Sequence, residues 1–246
     1  MAEEITLFDL ASKDHKSWSG NTLKTRLYLN YIGVPYKTVW LEYPEIESNH
    51  KALGISPHDP STAAITPYTV PAVQFPDGKC VMESAAIALE LNNRYQQADL
   101  IIADEMLSTL QRVIRGGVMI NLSFACLFLP GISTNLLNPP SEEYTAARCR
   151  KWFGKSVEDL AKDSDPEKGW GAVEPHLKEL GQLLKEKDGG PFLLGEKVSY
   201  ADFVIVALLQ FLKRIDEALY EQTVKIEPAL QTLYDASMQW LVRDDH

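Results

Sequence analysis

Three small polar side chains, Ser17, Ser19 and Asn21, form the stretch best suited to chemistry. They follow an apolar run, residues 5–10, that predicts a strand, and they precede an apolar series within residues 22–31 that predicts a helix. Hydroxyls and backbone N–H groups then gather where the helix dipole is positive, which favours an anion. We interpret that anion as the thiolate of a small bound thiol, with Ser19 as its hydrogen-bond donor.

A nucleophilic serine is one alternative for this loop. Such a serine needs a histidine base and an orienting acid. The nearest candidates, His15 and Asp14, lie too close along the chain to Ser17 to take that geometry, and the sequence has no Gly-x-Ser-x-Gly motif. A hydrolase is therefore disfavoured, whereas a polar loop that merely caps a helix stays open as a second alternative.

Two dipeptides farther along the chain could hold a peptide. Val70 and Pro71 open a strand-like run, residues 70–75, and a cis bond there would turn a backbone edge toward a peptide laid alongside. A trans proline at a sheet edge is the alternative. Ser84 stands where a helix begins and could bind a carboxylate there, while Glu83 could accept from an ammonium. This pair suits a free amino-acid end, with plain helix capping as the alternative.

The predicted elements of the first part alternate between strands and helices. The order β-α-β-α-β-β-α fills about 95 residues, with strands at 5–10, 36–41, 70–75 and 80–82 and helices at 22–31, 43–53 and 84–94. This order predicts an α/β domain, a small mixed sheet with helices on both faces. From residue 99 onward the pattern is helical, so we predict one domain at 1–95 and an all-α domain at 99–246.

Within the helical part, the clearest predicted helices are residues 174–187, 200–219 and 227–242. Breaks are expected at Pro130-Gly131, at residues 138–140 and in the charged stretch 162–169. Ser199 and Asp202 are close to a capping box ahead of the second of these helices. We interpret that pair as structural.

Composition limits the class of protein. The chain has 246 residues and a formal net charge of −10, which argues against a nucleic-acid partner. No apolar run is long enough to span a bilayer, and the acidic N-terminus is unlike a secretory signal. The 3 cysteines are widely spaced, so we expect no metal site and a cytoplasmic location. The histidines show no ligand spacing and are expected at the surface or in loops: His15, His50, His58, His176 and His246.

The order and spacing of these signals resemble a known family. The serine loop after a first strand, followed by Val70-Pro71 and Glu83-Ser84, is similar to the first half of a cytosolic glutathione transferase. The later run 192–202, with its Gly-x-x-x-Ser-x-Ala-Asp spacing, is similar to the helical half. Several segments resemble more closely the fungal serine-type class related to bacterial β-etherases, sometimes called fuscoferins: residues 21–26, 29–31, 42–47, 150–154 and 211–216.

The resemblance implies both a fold and a site. The fold would be an N-terminal thioredoxin-like domain followed by a helical C-terminal domain, with a cis bond before Pro71. Glutathione would bind as a co-substrate, its sulfur beside the Ser19 hydroxyl, with Asn21 in the same loop. The Val70-Pro71 backbone would pair with the cysteinyl part, and the Glu83-Ser84 pair would hold the γ-glutamyl end.

The loop itself raises two questions about thiol activation. Related etherase-like sequences often have proline after the active serine, whereas this chain has Gly20, and Ser17 competes with Ser19 for the sulfur. The energy required is modest, since lowering a thiol pKa from ~8.5 to ~6.5 needs about 2.7 kcal/mol. A hydrogen bond to a charged acceptor supplies roughly 1.5–3 kcal/mol, and a helix N-terminus adds about 0.3–1 kcal/mol.

The resemblance further implies a homodimer and a hydrophobic aromatic electrophile as acceptor, with β-ether cleavage as a narrower option. Trp18 is a candidate wall of the acceptor pocket, with core packing as the alternative. Apolar residues of the helical part are further candidates, among which we select Leu110 and Ile114, and helix core is again the alternative: Leu107, Leu110, Val113, Ile114, Met119, Phe124 and Phe128. Two other functions stay open: a ligandin-type binding protein with little turnover, and a transferase-like scaffold without a bound thiol.

Overall fold

A computed structural model describes residues 4–59, 66–95, 108, 110–111, 122–187 and 189–245, and for 122–126 it describes the backbone alone. The strands are β1 Ile5–Leu10, β2 Tyr36–Leu41, β3 Ala72–Gln74 and β4 Cys80–Met82. The helices are α1 Gly20–Ile32, α2 Ile46–Ala52, α3 Ser84–Tyr95, α4 Leu122–Gly131, α5 Pro139–Phe153, α6 Val157–Lys162, α7 Pro166–Lys185, α8 Tyr200–Ile215, α9 Glu217–Ile226 and α10 Pro228–Ser237. Shorter helical turns occupy Tyr43–Glu45, Ile132–Leu136 and Met238–Trp240.

β1 lies inside a four-stranded sheet with the order β2-β1-β3-β4. It pairs in parallel with β2, where Leu7 faces Thr38, and antiparallel with β3, where Leu7 faces Val73. β3 and β4 form an antiparallel hairpin. A parallel pair needs a crossover connection, which α1 provides between β1 and β2. The small mixed sheet predicted from the sequence is thereby confirmed.

The strand predicted to start at Val70 starts two residues later. β3 begins at Ala72, because Pro71 has no N–H to donate to a ladder. The Val70–Pro71 peptide bond is cis, as the family resemblance implies. Beyond the strand, the Pro71 carbonyl accepts a hydrogen bond from the Glu83 N–H at 3.2 Å. The two dipeptides that were singled out in the sequence therefore meet at the start of β3.

The packing of α1 against α8 joins the sheet part of the molecule to the helical part. Aromatic side chains meet between the two helices, with the Tyr31 and Phe203 ring centroids 5.7 Å apart. At the N-terminus of α1, a Cβ built on Gly20 would lie 3.4 Å from the Phe211 Cβ. The loop that carries the candidate serines is therefore positioned directly beside α8.

The helical part differs from the sequence prediction at its helix ends. The helix expected over 200–219 ends at Ile215, because Asp216 has an extended backbone and accepts from the Ala218 N–H. A new helix, α9, begins at that point. Glu227 caps α10 in the same manner, so the helix expected from 227 starts with its proline in the first turn.

Two expected breaks prove partly helical. α7 begins at Pro166, ahead of the predicted start at residue 174, because the Asp165 side chain caps its first turn. Pro130-Gly131 closes α4 and leads directly into the turn Ile132–Leu136, so the expected break at this dipeptide was wrong. A proline lacks the N–H that would donate to the carbonyl four residues earlier, so it disrupts the interior of a helix. Pro130 stands in the last turn of α4, where the loss of this one bond is tolerated.

The last residues of the chain return to the sheet part. The Arg243 guanidinium donates to the Tyr36 carbonyl at 2.8 Å. The Ser17 N–H donates to the Asp244 carbonyl, also at 2.8 Å. These bonds join the C-terminal segment to β2 and to the loop that precedes α1.

The domain limits 1–95 and 99–246 remain a prediction, because the boundary between them falls outside the described residues. Among the helices that the structure describes, none has the length and apolar character that crossing a membrane requires.

Candidate functional site

A cleft of about 590 Å³ opens between the sheet part and the helical part. One wall is polar and comes from the loop before α1, from His58, from residues 66–71 and from the start of α3. The other wall is largely aromatic and comes from α4, α5 and α8. We call these the polar wall and the aromatic wall. The predicted site residues on the polar wall are Ser19, Asn21, Val70, Pro71, Glu83 and Ser84, and the structure brings all of them to this cleft.

Ser19 occupies the N-cap position of α1 without using its side chain as a cap. Its backbone is extended, with φ −66° and ψ 120°, and its carbonyl accepts the first helical bond from the Leu23 N–H at 2.9 Å. Its hydroxyl makes no cap hydrogen bond, although serine is a preferred residue for that purpose. Ser19 is 8% exposed and borders the cleft, so the hydroxyl is available to a ligand.

Ser17, the competing serine, lies behind the loop. Its Oγ donates to Asp9 Oδ2 at 2.9 Å, and the residue is fully buried. Asp9 also forms a buried ion pair with Arg26, whose Nη2 lies 3.1 Å from the same carboxylate oxygen. The Ser17 hydroxyl is therefore part of a closed buried network, and Ser17 does not border the cleft.

Asn21 and Gly20 form the first turn of α1. Asn21 is exposed, and its Oδ1 accepts a hydrogen bond from Lys24 Nζ at 2.9 Å. Gly20 lies beside α8, where an added Cβ would stand in van der Waals contact with the Phe211 side chain at 3.4 Å.

Glu83 and Ser84 form the far end of the polar wall. The Glu83 carbonyl accepts from the Ile87 N–H at 2.8 Å, so Glu83 takes the N-cap position expected for Ser84, and Ser84 is the first residue of α3. Glu83 has a φ of +84°, a conformation that costs a non-glycine residue on the order of 1–3 kcal/mol. Such strain persists where the surrounding structure enforces it, and it is frequent at ligand sites.

His58 is a residue of the cleft that the sequence reasoning missed. Its Nε2 lies 2.9 Å from Thr69 Oγ1 and 3.2 Å from Glu83 Oε1. The position in a loop agrees with the prediction, but the sequence carries no signal that would bring this histidine to Glu83. The contact joins residues 25 positions apart, a separation over which no periodicity acts.

His50 was expected at the surface or in a loop, and that expectation was wrong. It lies in α2 and is completely buried, because its spacing of four from Ile46 places both side chains on the inner face of the helix. Its Nε2 lies 3.0 Å from the Thr69 carbonyl. Burial lowers the pKa of His50, and the hydrogen bond to Thr69 opposes that shift.

Trp18 is a buried residue that also borders the cleft. It is 2% exposed and its Nε1 donates to the Ala11 carbonyl at 3.2 Å, as a core residue would. Its ring also borders the cleft and stacks on Phe211, with centroids 6.3 Å apart and an interplanar angle of 25°. Phe128 continues this surface, edge-on to Phe211 at 5.9 Å. These three rings form a continuous aromatic surface at one side of the cleft.

The two residues selected from the first helical segment do not contribute to the described cleft. Leu110 is completely buried within the main core and does not border the cleft, so the core interpretation replaces its predicted role in substrate binding. Ile114 lies outside the described residues. α5 supplies an unpredicted part of the wall instead, through residues such as Tyr144, Arg148 and Trp152.

The described residues contain no cluster of side chains that could bind a metal ion. Among the residues that the structure describes, no three His, Cys, Asp or Glu side chains come together as ligands would.

Two family models match the chain. Residues 18–94 match the N-terminal domain of glutathione S-transferase, and residues 111–230 match the C-terminal domain of glutathione S-transferase. The polar wall and most of the aromatic wall lie within these two segments.

Individual relatives span almost the entire chain. The chain is 30% identical to the glutathione S-transferase-like protein ustS of Aspergillus flavus over 251 residues, which cover 96% of this chain and 89% of the relative. A glutathione S-transferase of Ceriporiopsis subvermispora, CsGST63524, was solved in complex with glutathione. It superposes with a TM-score of 0.85 at 29% identity, over 99% of this chain and 100% of the other.

A second transferase of that organism, CsGST83044, also solved in complex with glutathione, gives a TM-score of 0.82 at 26% identity, over 98% of this chain and 99% of the other. These similarities confirm the predicted thioredoxin-like domain with its mixed sheet, followed by a helical domain. The chain belongs to the glutathione S-transferase family.

Proposed function

We propose that this protein is a glutathione transferase of the serine type, in which the Ser19 hydroxyl donates to the sulfur of glutathione and stabilises the thiolate. The observation that carries the proposal is the hydroxyl of Ser19, which borders the cleft at an N-cap position without capping the helix. The first turn of α1 also contains no acidic residue, so its N–H groups and dipole favour an external anion. Relatives solved with glutathione support glutathione as the thiol.

The proposed position of glutathione follows the polar wall. Its cysteinyl part pairs with the backbone of Val70, beside the cis bond to Pro71, as an added strand would. Its α-ammonium group pairs with the Glu83 carboxylate, and its α-carboxylate lies at Ser84 and the start of α3. His58 holds the Glu83 carboxylate in place through the 3.2 Å contact.

The proposed chemistry requires no general base. The thiolate attacks an electrophilic carbon of an aromatic acceptor that lies against Trp18 and Phe211. A C–S bond forms with the sulfur electron pair, and the leaving group departs with the electrons of the bond that breaks. In β-ether cleavage the leaving group is an aryloxide. Asn21 is a second donor to the sulfur, because its Oδ1 accepts from Lys24 and its amide N–H groups point to no described partner.

The decisive experiment measures the pKa of bound glutathione in wild type and in Ser19→Ala. Loss of a hydrogen bond to a charged acceptor removes roughly 1.5–3 kcal/mol, so we expect the thiol pKa to rise by about 1–2 units. With the thiolate population limiting, kcat/KM for a reactive aromatic halide should fall roughly 10–100-fold. An unchanged pH profile in Ser19→Ala would overturn the proposal.

Ser17→Ala is the matched control for this experiment. It removes a hydroxyl two residues away that donates to Asp9 and does not border the cleft. We expect this variant to unfold at a lower denaturant concentration, because a buried carboxylate loses a donor. The pKa of bound glutathione should stay at its wild-type value. A rise in that pKa equal to the rise in Ser19→Ala would assign the sulfur contact to the wrong serine.

A ligandin-type function is the second candidate, and the size of the aromatic wall favours it. The cleft is large and lined by Trp18, Phe128 and Phe211, so it can bury an aromatic ligand whether or not chemistry follows. If wild type and Ser19→Ala turn over several electrophiles equally slowly while aromatic ligands bind tightly, the binding function is correct. Retention on a glutathione matrix that is lost in Glu83→Ala would exclude a scaffold without a thiol site.

We further propose a homodimer and a cytoplasmic location, both of which rest on the family resemblance alone. Light scattering at several protein concentrations tests the dimer. Imaging of a tagged chain in its own cells tests the location.

A further inference from the structure

We propose that Arg148 selects acceptors in which an aromatic ring carries a carboxylate. The inference rests on the proposed function and deepens it, because it names the chemical class of the acceptor. Arg148 borders the cleft on the aromatic wall, within a surface that is otherwise built to hold uncharged rings.

The guanidinium of Arg148 lies close to two aromatic rings of its own helix. Tyr144, Arg148 and Trp152 follow one another at intervals of four residues, so α5 presents them on one face to the cleft. The guanidinium carbon lies 4.0 Å from the Trp152 ring centroid and 5.4 Å from that of Tyr144. Tyr144 in turn stacks on Tyr43, with centroids 5.6 Å apart and an interplanar angle of 10°. The positive charge therefore has contacts with the aromatic wall that do not depend on a ligand.

The charge of Arg148 has no counter-ion among the described residues. Among the described residues, the arginines that form ion pairs with carboxylates are Arg26, Arg94 and Arg214. Glu83 is the one carboxylate among the described lining residues, and it faces His58 on the polar wall. A half-buried cation without a carboxylate partner favours an anion from outside.

The tyrosines beside Arg148 do not supply that anion. Burial raises the pKa of Tyr43 to about 12, with the charge of Arg148 opposing the shift, so its phenol is neutral at physiological pH. The Tyr144 hydroxyl accepts one hydrogen bond, from Arg148 Nη1 at 3.1 Å. The other N–H donors of the guanidinium have no described partner and match the two oxygens of a carboxylate.

A ring and a carboxylate on one molecule fit this arrangement together. The ring packs against the aromatic side chains of the wall, and the carboxylate meets the edge of the Arg148 guanidinium. Each part alone is a weak signal, since aromatic pockets are common and arginines often stack on rings. Their combination with a charge that no described carboxylate matches favours an acidic aromatic acceptor over a neutral one.

The test compares two acceptors that differ only in charge: para-(chloromethyl)benzoate and its methyl ester. In both, the glutathione thiolate attacks the benzylic carbon, a C–S bond forms, and chloride leaves with the electron pair of the C–Cl bond. We expect wild type to have a higher kcat/KM for the acid than for the ester, each relative to its uncatalysed rate. In Arg148→Gln the ratio of acid to ester should fall roughly 10–100-fold, because a hydrogen bond to a charged group is lost.

Two further variants separate charge from packing. Arg148→Lys keeps the charge without the planar fork, so it should retain part of the preference for the acid. Arg150→Gln removes an exposed arginine of the same helix that does not border the cleft, and it should leave the ratio unchanged. If Arg148→Gln does not fold, the wild-type ratio and the lysine variant still decide the question. Equal rates for acid and ester in wild type would overturn the inference.

Two other outcomes have separate meanings. If Arg148→Gln raises the KM for glutathione equally with both acceptors, Arg148 binds glutathione and the inference is overturned. If neither chloromethyl compound is turned over, calorimetry with para-nitrobenzoate and para-nitrobenzamide replaces kinetics. Selective binding of the benzoate that is lost in Arg148→Gln would then support the Arg148 site while the transferase proposal fails. Equal binding of the two would overturn the inference.

Discussion

Two helices of this protein, α1 and α8, pack against each other and begin in the same way, with a serine at the N-cap. At α8 the Ser199 hydroxyl accepts from the Asp202 N–H, and the Asp202 carboxylate accepts from the Ser199 N–H at 2.7 Å. At α1 the Ser19 hydroxyl makes no cap bond. Both helices have serine at the N-cap. The Ser199 hydroxyl caps its own helix, whereas the Ser19 hydroxyl does not.

The difference lies in what satisfies the first helical turn. α8 has a carboxylate in its first turn, and that side chain also accepts from the Leu193 N–H at 2.8 Å. α1 has no acidic residue there, and its first turn borders the cleft. A helix start that is already neutralised by its own carboxylate has no need of an external anion. An uncapped helix N-terminus beside a cavity can bind an anion from outside the fold. For this reason we interpret Ser199 as structural and propose that Ser19 is functional.

The largest expected effect comes from removing the carboxylate at α8. Asp202→Ala leaves three donors on Leu193 and Ser199 without their acceptor in a buried place, so we expect a loss of about 3 kcal/mol in the free energy of unfolding. Urea denaturation measures it. The pKa of bound glutathione should not move at a temperature where the variant is folded. Wild-type stability in this variant would contradict the structural assignment.

A carboxylate placed at α1 should make that helix start resemble α8. Asn21→Asp adds a negative charge to the first turn beside the proposed thiolate, which should raise the pKa of bound glutathione about one unit above its value in Asn21→Ala. That corresponds to roughly tenfold in kcat/KM below the thiol pKa. Asn21→Ala is the control for the lost amide, and the comparison fails if both variants have the same effect.

Removing the cap hydroxyl at α8 should have a smaller effect than removing its carboxylate. Ser199→Ala loses the bond that its hydroxyl accepts from the Asp202 N–H and the bond that it donates to Asp202 Oδ2, and loss of such an N-cap side chain costs about 1 kcal/mol of stability. Thermal unfolding measures the change. We expect the kcat/KM of this variant to match wild type, in contrast to Ser19→Ala, and a loss of activity here would erase the distinction between the two serines.

The smallest effect concerns pH and involves neither helix start. Burial lowers the pKa of His50 in the folded protein, so the unfolded chain binds the proton more readily. Stability from this residue is present above the unfolded pKa and is lost as pH falls through about 6.5 toward the folded pKa. The difference in unfolding free energy between wild type and His50→Gln should therefore shrink as pH falls below 6.5. A constant difference would contradict the assignment.

Local features of the sequence predict local features of the structure well. β1, β2 and β4 begin and end at the predicted residues, since alternation and β-branched content act over a few neighbours. The capping box at Ser199 is present as expected, because it depends on residues three apart. Helix ends were less predictable: Asp216 interrupts what reads as one longer helix over 200–219, and its side-chain bond to the Ala218 N–H cannot be distinguished from an exposed carboxylate in the sequence.

The amino-acid sequence by itself determined the order of elements, the family resemblance and the loop in which Ser19 stands. Only the tertiary structure decided that Ser17 is bound to Asp9 behind that loop, that His58 meets Glu83, and that Arg148 faces the cleft with no carboxylate beside it among the residues that the structure describes. Spacing along the chain specifies what one helix or strand can present. Whether a hydroxyl or a charge is already satisfied depends on partners from other elements, and those are set by packing.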